Sequence, residues 1–187
     1  MEALELMLGR SSAPKLTDPA PTASELETIL ASAVRAPDHG RLRPWHFVVV
    51  PTDQRERLGE VLAESLRRRE PDASPELLQR EREKALRAPV IIVAAARVRH
   101  GHKIPVAEQL ASAAAAAQNI MLTAHAQGYG AMWKTGAPAY DSYVKRALGL
   151  EDDEIVGFLY LGTRVGGDSP LPRPSAKEHV SVWHGHA

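Results

Sequence analysis

Residues 106–127 hold the longest helical pattern in the chain, and its middle, Ala111-Ser-Ala-Ala-Ala-Ala-Ala117, is almost entirely small. A helix of ~20 residues is ~30 Å long. With methyl groups along its sides, neighbouring elements can approach its backbone closely, so it belongs at the centre of a domain. The 187 residues suffice for one domain with a sizeable core. Only three Trp, four Tyr and two Phe are present, so close helix packing has to do what bulky rings do elsewhere.

The other elements follow from periodicity and punctuation. Leu4, Met7 and Leu8 give residues 2–8 a helical apolar face. Residues 13–21 read as a Pro-broken linker. Thr22-Ala-Ser-Glu25 is a capping box for a helix whose apolar face is Leu26, Ile29, Leu30, Ala33 and Val34, and which Pro37 stops. His46 to Val50 is β-branched and aromatic-rich, a strand. Residues 53–70 and 75–87 are Arg/Glu-laced helices, read as plain surface helices from charges at three- and four-residue spacing. Pro89 to Ala96 reads as a strand buried on both faces. Gly128 closes the Ala-rich helix, a short strand covers 130–135, a helix covers 139–147, and Ile155 to Leu161 is a third clear strand. Val180 to Trp183 is a further strand candidate, at the end of a Gly/Pro-rich arm of about residues 168–187. The elements do not keep a strict βαβ rhythm, which favours an α+β fold.

Composition removes several classes of function. There is no Cys, which excludes disulfides, thiolate nucleophiles and Cys-ligated metals. Basic and acidic residues balance at 23 each, so the basic excess of a nucleic-acid binder is missing. No apolar run approaches a membrane span. The start, Met-Glu-Ala-Leu-Glu-Leu, lacks the basic region and apolar run of a secretory signal, so the expected compartment is the cytoplasm. The His100-Gly-His102 and His184-Gly-His186 pairs have too few ligands for a zinc site. No Gly-x-Ser-x-Gly elbow or phosphate-cradling Gly-rich loop occurs, and Gly128-Tyr-Gly130 lacks the third glycine and the context of a dinucleotide turn.

Two clusters stand out chemically. Arg10, Ser11 and Ser12 end the first helix; they suit a phosphate, and equally a cation at a helix C-terminus followed by turn serines. Arg35-Ala-Pro-Asp-His-Gly-Arg-Leu-Arg-Pro-Trp45 gathers three Arg and His39 within nine residues. It reads either as a solvated loop or as an anion site, since such a cluster repels itself without a counter-anion.

In order and spacing over essentially the whole chain, these motifs resemble the nitroreductase family, in its small single-domain branch. Ala3-Leu-Glu-Leu-Met-Leu-Gly-Arg-Ser-Ser12 is similar to the family's opening helix and Arg-x-Ser element. The Arg35–Trp45 loop is similar to the branch's Arg-Ala-Pro-Asp-His … Pro-Trp signature, with Arg43 where Gln is usual. Leu150 to Gly162 is similar to the family's acidic turn and core strand.

The resemblance implies an FMN-dependent nitroreductase-like fold. A central mixed or antiparallel sheet is flanked by helices, and the C-terminal arm is exchanged in a homodimer. It implies that FMN is held by Arg10, Ser11, Ser12, Arg35, His39, Trp133, Lys134 and Thr135, with the Arg35–His39 loop reaching a flavin bound mainly by the other subunit. Ser11 replaces a second basic residue that many members carry. Thr123, Ala124, His125, Ala126, Gln127 and Gly128 match the segment associated with NAD(P). Arg164, Arg173 and Arg43 stand open as further phosphate contacts. No side chain is assigned as catalytic, and no metal is expected.

The implied reaction is ping-pong hydride transfer from NADH or NADPH, through the flavin, to a small flat acceptor such as a nitroaromatic, quinone or enone. Two other readings are a nitroreductase-fold flavoprotein with different redox chemistry and a non-enzymatic protein binding an anionic metabolite through the Arg35–Arg43 loop.

Overall fold

A computed structural model describes residues 2–166 and 173–185. Helix α1 (Ala3–Gly9) is followed by strand β1 (Leu16–Thr17), α2 (Ala23–Ala33), β2 (Trp45–Val50), α3 (Arg55–Arg69), α4 (Pro75–Glu83) and β3 (Val90–Arg97). The long α5 (Val106–Ala126), β4 (Gly130–Lys134), α6 (Ala137–Tyr140), α7 (Ser142–Ala147) and β5 (Asp153–Arg164) complete the order. Every pairing in the five-stranded sheet is antiparallel: β2 with β3, β3 with β5, and β5 with both β4 and β1.

The sheet is covered on both faces. Val90, Ile92 and Ala94 of β3 join Leu159 and Leu161 of β5 against α2 and α5, where Ala116, Ala117 and Ile120 are fully buried. The alternate residues Ile91, Val93 and Ala95, with Phe158 and Tyr160, pack under α3 and α7. This period-two split of one apolar run is why β3 reads as buried on both sides. Among the described residues no helix is long and apolar enough to cross a membrane.

The local signals mostly act as the sequence dictates. The Thr22 capping box forms, with the Glu25 carboxylate accepting from the Thr22 backbone N–H at 2.8 Å. Four expectations change. The 13–21 linker contains β1, which pairs Leu16 with Arg164. The 53–87 helices are not plain surface helices. Leu58, Leu62 and Leu66 form a buried stripe at four-residue spacing, and Leu58 and Leu62 of it roof the second face of the sheet. The 139–147 helix is two helices, because Asp141 turns away and its Oδ1 caps α7 by accepting from the Tyr143 N–H at 2.7 Å. Val180–Trp183 is not a strand. Val180 is extended, but among the described residues no strand pairs with it, and Val180, Val182 and Trp183 are exposed. The expected arm at about 168–187 falls partly, at 167–172 and 186–187, outside the described residues.

Candidate functional site

Arg10 caps the C-terminal end of α1, and the chain then runs beside β4, with the Ala13 N–H donating to the Ala131 carbonyl at 2.9 Å. Gly130 permits this approach: a Cβ there would lie 2.8 Å from the Ala13 Cβ and 2.6 Å from Leu16 Cδ2. Two further arginines converge on the same turn. Arg164 Nη2 donates to the Ser11 carbonyl at 2.9 Å and lies 3.0 Å from Ser11 Oγ, and Arg173 Nη2 donates to the Arg10 carbonyl at 2.9 Å. Ser11 is buried and Ser12 half-buried.

Burial, and then the charges of Arg173 and Arg164, lower the pKa of Arg10. Its Nη1 is buried and has no hydrogen-bond partner among the described residues. A buried guanidinium N–H without an acceptor, beside two like charges, is costly unless an anion joins it.

Further along β4, Trp133 Nε1 reaches across to β5 and donates to the Val156 carbonyl at 3.2 Å. The indole fits because residue 157 is glycine; a Cβ there would lie 2.1 Å from Trp133 Nε1. Lys134 is half-buried, and Thr135 is exposed. From Ala131 to Lys134 is about 10 Å along a strand, the scale of a mononucleotide. The Arg10–Ser12 turn thus lies beside Ala131 of β4, while further along that strand Trp133 packs on the α5 side of the sheet and Lys134 and Thr135 line its α3 side.

The Arg35–Trp45 loop lies elsewhere. Asp38 folds it, accepting from the Leu42 N–H at 3.1 Å and the Arg43 N–H at 2.8 Å. Gly40, Arg41 and Arg43 take left-handed backbone at φ 67°, 55° and 51°, unusual for two arginines. Trp45 Nε1 donates to Ser112 Oγ at 3.0 Å, and that hydroxyl donates to the Pro37 carbonyl at 2.7 Å. His39 Nδ1 lies 2.5 Å from Glu108 Oε2, and Arg35 is exposed. The His39 end thus sits at the start of α5. Arg10 sits at its finish, where a Cβ on neighbouring Gly9 would lie 3.9 Å from His125 Nε2. Glu108 and His125 are about 25 Å apart on a helix, so one chain does not bring His39 to Arg10.

Of residues 123–128, Thr123 Oγ1 donates to Ser32 Oγ at 2.7 Å, Ala124 is fully buried, and Gln127 Nε2 donates to the Glu25 carbonyl at 3.4 Å. Those three are committed to α2–α5 packing, whereas Ala126 and Gly128 are exposed and His125 is half-exposed. Sequence reasoning did not find the anchoring roles of Glu108 and Ser112, or the clearance at Gly157, because each depends on a partner distant in sequence.

Residues 7–163 match the family model described as the nitroreductase family. "Putative NAD(P)H nitroreductase YdjA" of Escherichia coli (strain K12) is 42% identical over 164 residues, 87% of this chain and 88% of that protein. The structure resembles a nitroreductase-like family protein from Bacillus cereus, with TM-score 0.85, 24% identity, and 99% and 97% of the two chains covered. It also resembles a Desulfovibrio desulfuricans protein solved in complex with FMN, at TM-score 0.74 and 22% identity over 97% of each chain.

Proposed function

This chain belongs to the nitroreductase family, and on that premise we propose that it is a homodimeric, FMN-dependent oxidoreductase that takes hydride from NADH or NADPH. The observation that carries the cofactor assignment is the buried, partnerless Nη1 of Arg10 among converging guanidinium groups. A phosphate supplies the acceptor and the counter-charge that this turn demands. Arg164 and Arg173, reaching in from β5 and the tail, make up for the basic residue that Ser11 replaces.

In this reading Arg10, Ser11 and Ser12 hold the phosphate. Trp133, Lys134 and Thr135 lie beside the ring, with the Trp133 indole clamped by Val156. Lys134 has no ion-pair partner among the described residues, so its charge is available to an electron-rich ring. When bound, FMN would supply the two-electron chemistry, accepting hydride from the nicotinamide and passing it to a flat acceptor such as a nitroaromatic or quinone in a ping-pong cycle. No side chain is needed as a nucleophile.

Dimerisation is supported by what one chain leaves incomplete. Arg35 and His39 join a flavin site only if the loop serves the flavin of the second subunit, since α5 separates His39 from Arg10 within one chain. Leu4, Met7 and Leu8 of α1, and Val180, Val182 and Trp183 of the tail, are exposed apolar side chains that a second copy would cover. The tail, within the arm of about residues 168–187 of this single domain, would then find the sheet edge that it lacks alone. Residues 123–128 remain the proposed nicotinamide-side segment, with His125, Ala126 and Gly128 as the outward members. The cytoplasm is the compartment where this chain would meet reduced nicotinamide.

The test is a visible spectrum of the purified protein after FMN is added, followed by anaerobic NADH or NADPH and then a nitroaromatic or quinone. Flavin that binds, bleaches with a nucleotide and recovers with the acceptor is the expected course. A protein that binds no flavin refutes the reading.

A further inference from the structure

A cavity of about 610 Å³ opens on the α3 side of the sheet and reaches the end of β4. Its size is that of a small-molecule site. Leu62 and Leu66 of α3, Leu77 of α4 and Phe158 of β5 give it an apolar wall. Its polar lining is unbalanced: Arg69, Lys84, Arg87 and Lys134 face only two carboxylates, Glu70 and Glu81.

Two of the cations are already engaged. Lys84 pairs with Glu81, and Arg69 lies 3.6 Å from Asp141. Arg87 and Lys134 have no carboxylate partner among the described residues. The buried Oε1 of Glu81, an acceptor, has no hydrogen-bond partner among the described residues, so this end of the cavity also offers a place to a donor group. Tyr160 also lines this end, and burial pushes its phenol up to about 12, the charge of Arg87 opposing the shift and that of Glu81 adding to it. It therefore stays protonated and can donate to an anion.

We infer that this cavity receives the non-reacting part of the electron acceptor and selects acceptors that carry an anionic group on a flat apolar frame. The inference rests on the flavin reading, because Lys134 and Thr135 belong both to the proposed ring-binding strand and to the cavity lining. The frame packs against Leu62, Leu66, Leu77 and Phe158, and the anion meets Arg87 and the Tyr160 hydroxyl. The two aromatic probes 4-nitrobenzoate and 4-nitrobenzamide differ chiefly in that charge, so their comparison isolates it.

The flavin-loaded enzyme is assayed with both compounds, and binding of both to the protein without added flavin is measured by calorimetry. The expected result is a kcat/KM ratio favouring the benzoate by about tenfold, the scale of one charged hydrogen bond, with the same preference in binding. Arg87→Gln brings both ratios close to one. Equal turnover of the two compounds by the wild-type enzyme overturns the inference and leaves the oxidoreductase reading standing. Turnover of neither overturns that reading and the acceptor role with it. Calorimetry then decides the cavity alone, selective benzoate binding upholding its anion preference and equal binding overturning it.

Discussion

Replacing Arg10 with Ala should move flavin affinity strongly while leaving the stability of the free protein almost unchanged. Among the described residues the guanidinium has no acceptor for its buried Nη1, and it stands near Arg164 and Arg173, which disfavour its charge. Removing it deletes an unsatisfied buried donor, a group that costs about 1–3 kcal/mol, and relieves like-charge repulsion. Against this stands the loss of its aliphatic stem, about 0.8 kcal/mol per fully buried methylene and less for this half-buried side chain. The terms nearly cancel, so the melting temperature of flavin-free protein should change by less than about 4 °C.

With FMN present the cancellation disappears. One or two charge-assisted hydrogen bonds to phosphate are lost, about 1.5–3 kcal/mol, which is roughly a 10- to 150-fold rise in Kd. Flavin fluorescence titration and thermal melts with and without FMN read the two halves separately. An unchanged Kd would refute the phosphate assignment. A large fall in the stability of flavin-free protein would show that Arg10 is a structural residue and that its partnerless nitrogen does not await an anion.

Three other perturbations test the surroundings. Gly157→Ala places a methyl where Trp133 Nε1 would be 2.1 Å away; overpacking of this kind costs about 1–3 kcal/mol, and urea denaturation together with weaker flavin retention should report it. Ser112→Ala breaks the relay from Trp45 through Ser112 to the Pro37 carbonyl; leaving buried groups unpaired should cost about 1–3 kcal/mol, and unaltered stability would mean that the loop is held by other contacts. Hydrogen bonds from Thr22 and Tyr129 lower the Glu25 pKa, so its stabilising contribution is complete above the unfolded carboxylate pKa and fades as pH falls through the lowered folded value. Glu25→Gln should therefore be less stable than wild type at neutral pH, with the gap closing under acid; a gap independent of pH contradicts that origin.

The sequence by itself determined most of the local architecture. Thr22 and Glu25 start α2 because a hydroxyl and a carboxylate three residues apart satisfy the free N–H groups of a first turn. The apolar run at 90–96 forms a strand with both faces covered, and the Ala-rich segment becomes the central α5. The short strand after Gly128 also forms, as β4. The charges of 53–87 concealed the Leu58–Leu62–Leu66 stripe, since Arg and Glu dominate the composition of a helix that still buries one face.

What only the tertiary structure decided concerns residues far apart in the chain. Arg164 and Arg173 reach Ser11 and Arg10 across more than 150 positions, and no local pattern encodes that meeting. Likewise His39 and Arg10 both look like flavin residues in the sequence, yet α5 is a rigid rod that holds them at opposite ends. Helical rise converts the 17 steps from Glu108 to His125 into about 25 Å, a separation fixed by packing on one helix and invisible in the order of the motifs.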